Sequence, residues 1–233
     1  MGARFVTIIG QSGSGKTTSL RYIDPKITGL ITPNSKDFPI PGMANQFVEK
    51  KNKFTSDEIT DIAKYLRGFS ELKPDIKLVI VEDLNHFFNA RVTGAKFRSR
   101  NNGGEAFARW NDFGADVASS LITVMKELRD DLTVVMFAHT DIKDNGQIGL
   151  KTSGKLLDNT IDIPSYVTVL LHSIVMEEDG KYKYKFLTNA NGIHSAKSPA
   201  GMFKELYIPN DLALVLKAMD EYKKGGITPE WID

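Results

Sequence analysis

The chain contains no cysteine. It can therefore build no disulfide framework, no thiolate metal site and no thiol nucleophile, which fits a reducing compartment. No apolar run approaches the roughly 18 residues that span a bilayer, and no signal-peptide pattern precedes the first apolar segment. We therefore expect a cytoplasmic protein with no membrane partner. Excess charge of one sign is also lacking: 30 Lys and Arg stand against 29 Asp and Glu, for a formal net charge of +1. A globally basic nucleic-acid binder is thus excluded, although a local basic patch is not. There is no internal repeat, no low-complexity segment and no compositional break, so residues 1–233 read as a single domain. A hydrophobic share of 41% is enough to build a sizeable core at this length.

What is present alternates between strand-like and helix-like patterns, which points to an α/β fold with a largely parallel sheet flanked by helices. Phe5–Ile9, Leu30–Thr32, Lys77–Val81 and Leu132–Ala138 read as buried strands. Tyr166–Met176 and Tyr182–Leu187 flank Asp179-Gly180, the turn chemistry of a C-terminal β-hairpin. One helix is expected from Thr17 to Ile23, stopped by Asp24-Pro25, and another behind a Thr55 or Ser56 cap. A core stripe of Phe107, Trp110, Phe113, Val117, Leu121, Met125 and Leu128 predicts a long helix, and Asn210 is expected to cap the last one. Residues 36–53, 89–106 and 140–155 read as loops.

Gly10-Gln11-Ser12-Gly13-Ser14-Gly15-Lys16-Thr17 matches the phosphate-binding pattern G-x-x-x-x-G-K-[ST], set between a strand and a helix. Glycines let such a loop wrap an anion with its N–H groups, which continue into the helix start at Thr18. In this pattern Lys16 reaches the β- and γ-phosphates of a nucleoside triphosphate such as ATP, and the Thr17 hydroxyl holds Mg²⁺. Glu82 and Asp83 end an apolar strand, where a carboxylate is needed on the metal side. Glu82 fits that position best and Asp83 assists it or acts as the base; the sequence does not separate the two. His139 closes the next apolar strand, where a polar residue can touch the γ-phosphate.

The expected 89–106 loop carries Arg91, Lys96, Phe97, Arg98 and Arg100, with Arg109 just beyond, and the 140–155 loop carries Lys143, Lys151 and Lys155. Cations that track a backbone, with an aromatic ring for a base, suit single-stranded DNA.

These residues together resemble a RecA-type ATPase over nearly the whole chain. More narrowly, the chain is similar to small phage-encoded nucleotide-binding proteins comprising little beyond that core, some of which act in single-strand annealing and recombination. The phosphate loop, Glu82-Asp83, Phe137-Ala138-His139-Thr140, the segment Lys151–Asp158 and the segment Ala196–Phe203 carry the likeness. It implies a RecA-like P-loop core and DNA contact by the two basic loops. It also implies self-association into a ring or filament, with Lys197 reaching a neighbour's ATP, and a single-strand-binding protein as a further partner. The catalytic glutamate of that family usually ends the second strand, where this chain has Thr32-Pro33-Asn34. Water activation would then fall to Glu82 or Asp83, or hydrolysis would be slow. A nucleoside or nucleotide kinase and a non-hydrolysing ATP switch are the alternative expectations.

Overall fold

The computed structural model describes residues 3–33, 38, 40–100, 103–154, 157 and 161–225. Asn34 and Lys155, both singled out in the sequence, lie outside the described residues. Among the described residues, eight strands form one sheet in the order β10-β9-β8-β1-β5-β4-β2-β3. The strands are β1 (Arg4–Ile9), β2 (Thr28–Thr32), β3 (Lys53–Thr55), β4 (Leu78–Val81), β5 (Thr133–Ala138), β8 (Val169–Glu178), β9 (Lys181–Leu187) and β10 (Tyr207–Pro209). From β3 across to β8 every pairing is parallel, and β9 and β10 add antiparallel pairings at one side. The protein is thus an α/β protein with a mostly parallel sheet.

The central strands are continuous apolar runs because both faces are covered. Phe5 and Ile9, Val79 and Val81, and Val134 and Met136 point to one core. There they meet α1 (Ile59–Leu72), α2 (Leu84–Thr93) and α4 (Gly104–Val117). Val6 and Ile8, Leu78 and Ile80, and Val135 and Phe137 point to the other, where Leu212, Val215 and Met219 of α6 (Leu212–Lys223) close the layer. A short α5 (Ile163–Tyr166) leads into β8.

Several local expectations are corrected. The stretch read as a loop over 89–106 is largely helical: α2 runs to Thr93 and α3 (Ala95–Ser99) follows before α4 begins. The long helix breaks after Val117 into a π-helical turn at Ala118–Ile122 and a 3₁₀ turn at Thr123–Lys126, and Phe107 is exposed rather than core. The polar segment after His139 is not all loop, because β6 (Thr140–Ile142) and β7 (Ile148–Leu150) pair as a separate hairpin. The residues after the glycine-rich loop form a 3₁₀ helix, Thr17–Tyr22. The cap of α6 is Asp211, whose carboxylate accepts the Ala213 N–H, and not Asn210. The Asp179-Gly180 turn stands as expected, with both residues at positive φ.

Candidate functional site

The site forms at the carboxyl ends of β1, β5 and β4, where parallel sheets gather ligands. The β1–β5 ladder continues one step into the loop, where the Gly10 N–H donates to Ala138 O at 3.2 Å. A Cβ at Gly10 would lie 2.5 Å from Ser14 Oγ and 2.6 Å from Ser173 O, so only glycine lets the loop pack against β8. Gly13 and Gly15 have φ of +80° and +90°, a region side-chain-bearing residues rarely adopt. The loop is tied down from behind: Ser173 Oγ donates to Ser14 O at 2.6 Å, and Asn210 Nδ2 donates to Ser173 Oγ at 2.9 Å.

Lys16 curls over its own loop, with Nζ donating to Gly10 O at 2.7 Å and Gln11 O at 2.9 Å. Thr17 Oγ1 donates to Glu82 Oε1 at 2.7 Å, a contact that joins residues 65 positions apart. Glu82 is buried, and its N–H continues the β4–β2 ladder onto Ile31 O. Asp83 turns away into the left-handed region, φ 60° and ψ 68°, where it caps α2 by accepting the His86 N–H. The two acids, inseparable in the sequence, thus have different surroundings. Glu82 meets Thr17 of the glycine-rich loop, and Asp83 lies 3.6 Å from His139 Nε2.

His139 follows β5, which lies between β1 and β4 in the sheet. Asn85, which the sequence reading missed, holds the end of β5. Its Oδ1 accepts the His139 N–H at 2.6 Å, its Nδ2 donates to Lys151 O at 2.8 Å, and the Lys151 N–H donates to His139 O at 2.8 Å. Asn85 is the second residue of α2, two positions after the acid pair, and only that spacing could have drawn attention to it.

A cleft of about 770 Å³ runs across this constellation. Ser12, Gly13, Gly15, Lys16, Thr17, Thr18, Glu82, Asp83 and His139 all border it. Arg21, Lys183, Tyr184 and Lys185 of β9, Pro209 and Asn210 also border it, and the sequence did not single these out for the site. Behind the loop, Gln11 to Ser14 border a second hollow of about 280 Å³ with His172 and His194. Burial, with help from the neighbouring His194 and Lys16, pushes His172 down to about 4.

The expected DNA-contact residues divide. Phe97 is 4% exposed, packed edge-on against Trp110 at 5.0 Å, and has no face available to a base. Arg91 pairs with Asp116 at 2.9 Å, Arg100 pairs with Asp112, and Arg109 lies over the Phe97 ring. Lys96, Arg98 and Lys151 are exposed, and Lys143 is half-buried in the β6–β7 turn. Lys197 does not border the cleft of its own chain; its backbone pairs with Leu170 of β8, with both hydrogen bonds at 2.8 Å.

The sheet and the glycine-rich loop at its centre define the class to which the site belongs: an α/β architecture compatible with Rossmann-like or P-loop-like folds. No protein-family model and no curated protein matches the chain.

Proposed function

We propose that this protein is a RecA-like P-loop ATPase that binds ATP with Mg²⁺, hydrolyses it, and couples that cycle to single-stranded DNA. The observation that carries the proposal is the 2.7 Å bond from Thr17 to Glu82, which joins the phosphate loop to the acid-bearing strand, with His139 following the strand between β1 and β4. A hydroxyl and a carboxylate are hard oxygen donors, the set that suits Mg²⁺ when phosphate oxygens supply further ligands. Thr17 and Glu82 would hold that ion. When bound, it neutralises charge on the phosphoryl oxygens.

The chain's own groups divide the remaining work. Loop N–H groups from Gly13 to Thr18 cradle the phosphates, and Lys16 exchanges the Gly10 and Gln11 carbonyls for phosphate oxygens. Asp83, oriented by the start of α2, takes the proton of the attacking water, and His139 contacts the terminal phosphate. A non-glycine residue at positive φ costs roughly 1–3 kcal/mol, which favours a working role for Asp83. On the DNA side we retain Lys96, Arg98 and Lys151. All three are exposed, and they lie on segments that leave the carboxyl ends of β4 and β5. Lys197 stands outside its own cleft, as a residue serving a neighbour's ATP in a self-associated form must.

One ATPase assay tests this, run with and without single-stranded DNA at low and high salt. Wild-type turnover is expected to rise with DNA at low salt and to lose that stimulation as salt increases. Lys16→Ala is expected to abolish ATP binding. Asp83→Asn is expected to bind ATP while turnover falls roughly 10²-fold or more. Normal turnover in Lys16→Ala would sink the site assignment, and absence of stimulation at low salt would remove DNA from it.

A further inference from the structure

Building on the ATP-site assignment above, we infer that Tyr184 forms the nucleobase subsite, its ring stacking on the purine of the bound triphosphate. The cleft has a polarity. Thr17, Glu82, Asp83 and His139 mark the end that faces the terminal phosphate. We place the nucleoside away from that end, over Thr18 and Arg21, where Arg21 donates to Thr18 O and Asn210 O and where Lys183, Tyr184, Lys185 and Pro209 also border the cleft.

That wall is built by the β8–β9 hairpin. β1 pairs with β8 only as far as Ile9 opposite His172, whereas β8 and β9 stay paired out to Glu178 opposite Lys181. The hairpin therefore projects past the end of β1 and stands beside the phosphate loop. Tyr184 is 51% exposed, borders the cleft and approaches the loop closely: a Cβ at Gly15 would come within 2.8 Å of its Cδ1.

Its backbone is tied into the same hydrogen-bond network as the loop. Tyr184 O accepts the Asn210 N–H at 3.3 Å, and the same Asn210 donates its side chain to Ser173, which bonds Ser14 of the loop. Glu178 pairs with Lys183 at 2.8 Å and with Lys185, bracing the strand on either side of the ring. An exposed ring on a braced strand, fixed relative to the phosphate cradle, is a pre-organised stacking platform.

Calorimetric titration with Mg²⁺-ATP and with Mg²⁺-tripolyphosphate, which lacks a base, tests the inference. Tyr184→Ala is expected to weaken ATP binding roughly tenfold or more, Tyr184→Phe to bind ATP within about twofold of wild type, and both to bind tripolyphosphate as wild type does. Wild-type ATP affinity in Tyr184→Ala would overturn the subsite. Equal losses for ATP and tripolyphosphate would overturn it too, by reducing Tyr184 to a prop for Gly15. Failure of the wild-type protein to bind either ligand would instead overturn the phosphate-site assignment on which the subsite rests.

Discussion

His172 shows how a single side chain beside the glycine-rich loop ties stability to pH. Burial and the adjacent His194 hold it at about 4, against 6.5 for a free imidazole, so the folded state resists its protonation. The unfolded chain therefore binds the extra proton between those values, and stability falls as pH drops through that window. The expected loss is about 2 kcal/mol between about pH 7 and about pH 5. Chemical denaturation at both pH values checks it: a His172→Gln variant should show a shallower pH dependence, and an unchanged slope would show that His172 does not set it. At the same scale, glycine identity in the loop has two separate origins. Gly10 is required by the close approach of Ser14 and Ser173, and Gly15 by its positive φ and the ring of Tyr184. The motif announces both glycines, but only the packing distinguishes their reasons.

At the scale of elements, the segment between α2 and α4 shows how composition misleads. Its Gly, Asn and Arg content reads as a solvated loop. Phe97 instead anchors α3 beneath α4, against Trp110 and Phe113, and Arg91 and Arg109 lie over its ring. The arginines that seemed available for phosphates mostly satisfy local partners. Phe97→Ala is accordingly expected to destabilise the fold by about 3–5 kcal/mol, as for a buried aromatic in a packed cluster. Equilibrium unfolding measures it; a change below about 1 kcal/mol, with DNA affinity lost, would restore the base-stacking role. The Phe107–Leu128 stripe holds as core from Trp110 onward, but Phe107 is exposed and the helix does not stay regular. Periodicity reports which residues can share a face, but not that the helix stays regular through Ala118–Ile122 or that its first turn is covered.

At the scale of the whole molecule, the site draws on segments from residue 12 to residue 210 and exists only when the sheet is assembled. A ligand bound there must stabilise the entire fold by mass action. Mg²⁺-ATP at about 100 times its Kd should contribute about 2.7 kcal/mol, or roughly 5–10 °C in Tm for a chain of this size. Lys16→Ala should show no such shift, and a thermal melt with and without Mg²⁺-ATP decides the point. A rise of equal size in that variant would place the ligand elsewhere.

The sequence by itself determined the glycine-rich loop, the buried parallel strands, the acid pair and the Asp-Gly hairpin. Each of these is a local pattern whose physics acts within a few residues: glycine φ, strand burial, turn chemistry. Only the tertiary structure decided that Glu82 meets Thr17 while Asp83 turns to His139, that Asn85 locks the strand end, and that Tyr184 walls the cleft. Those relations depend on strand order and register, which bring together residues separated by dozens of positions. No local propensity encodes a distance across the sheet.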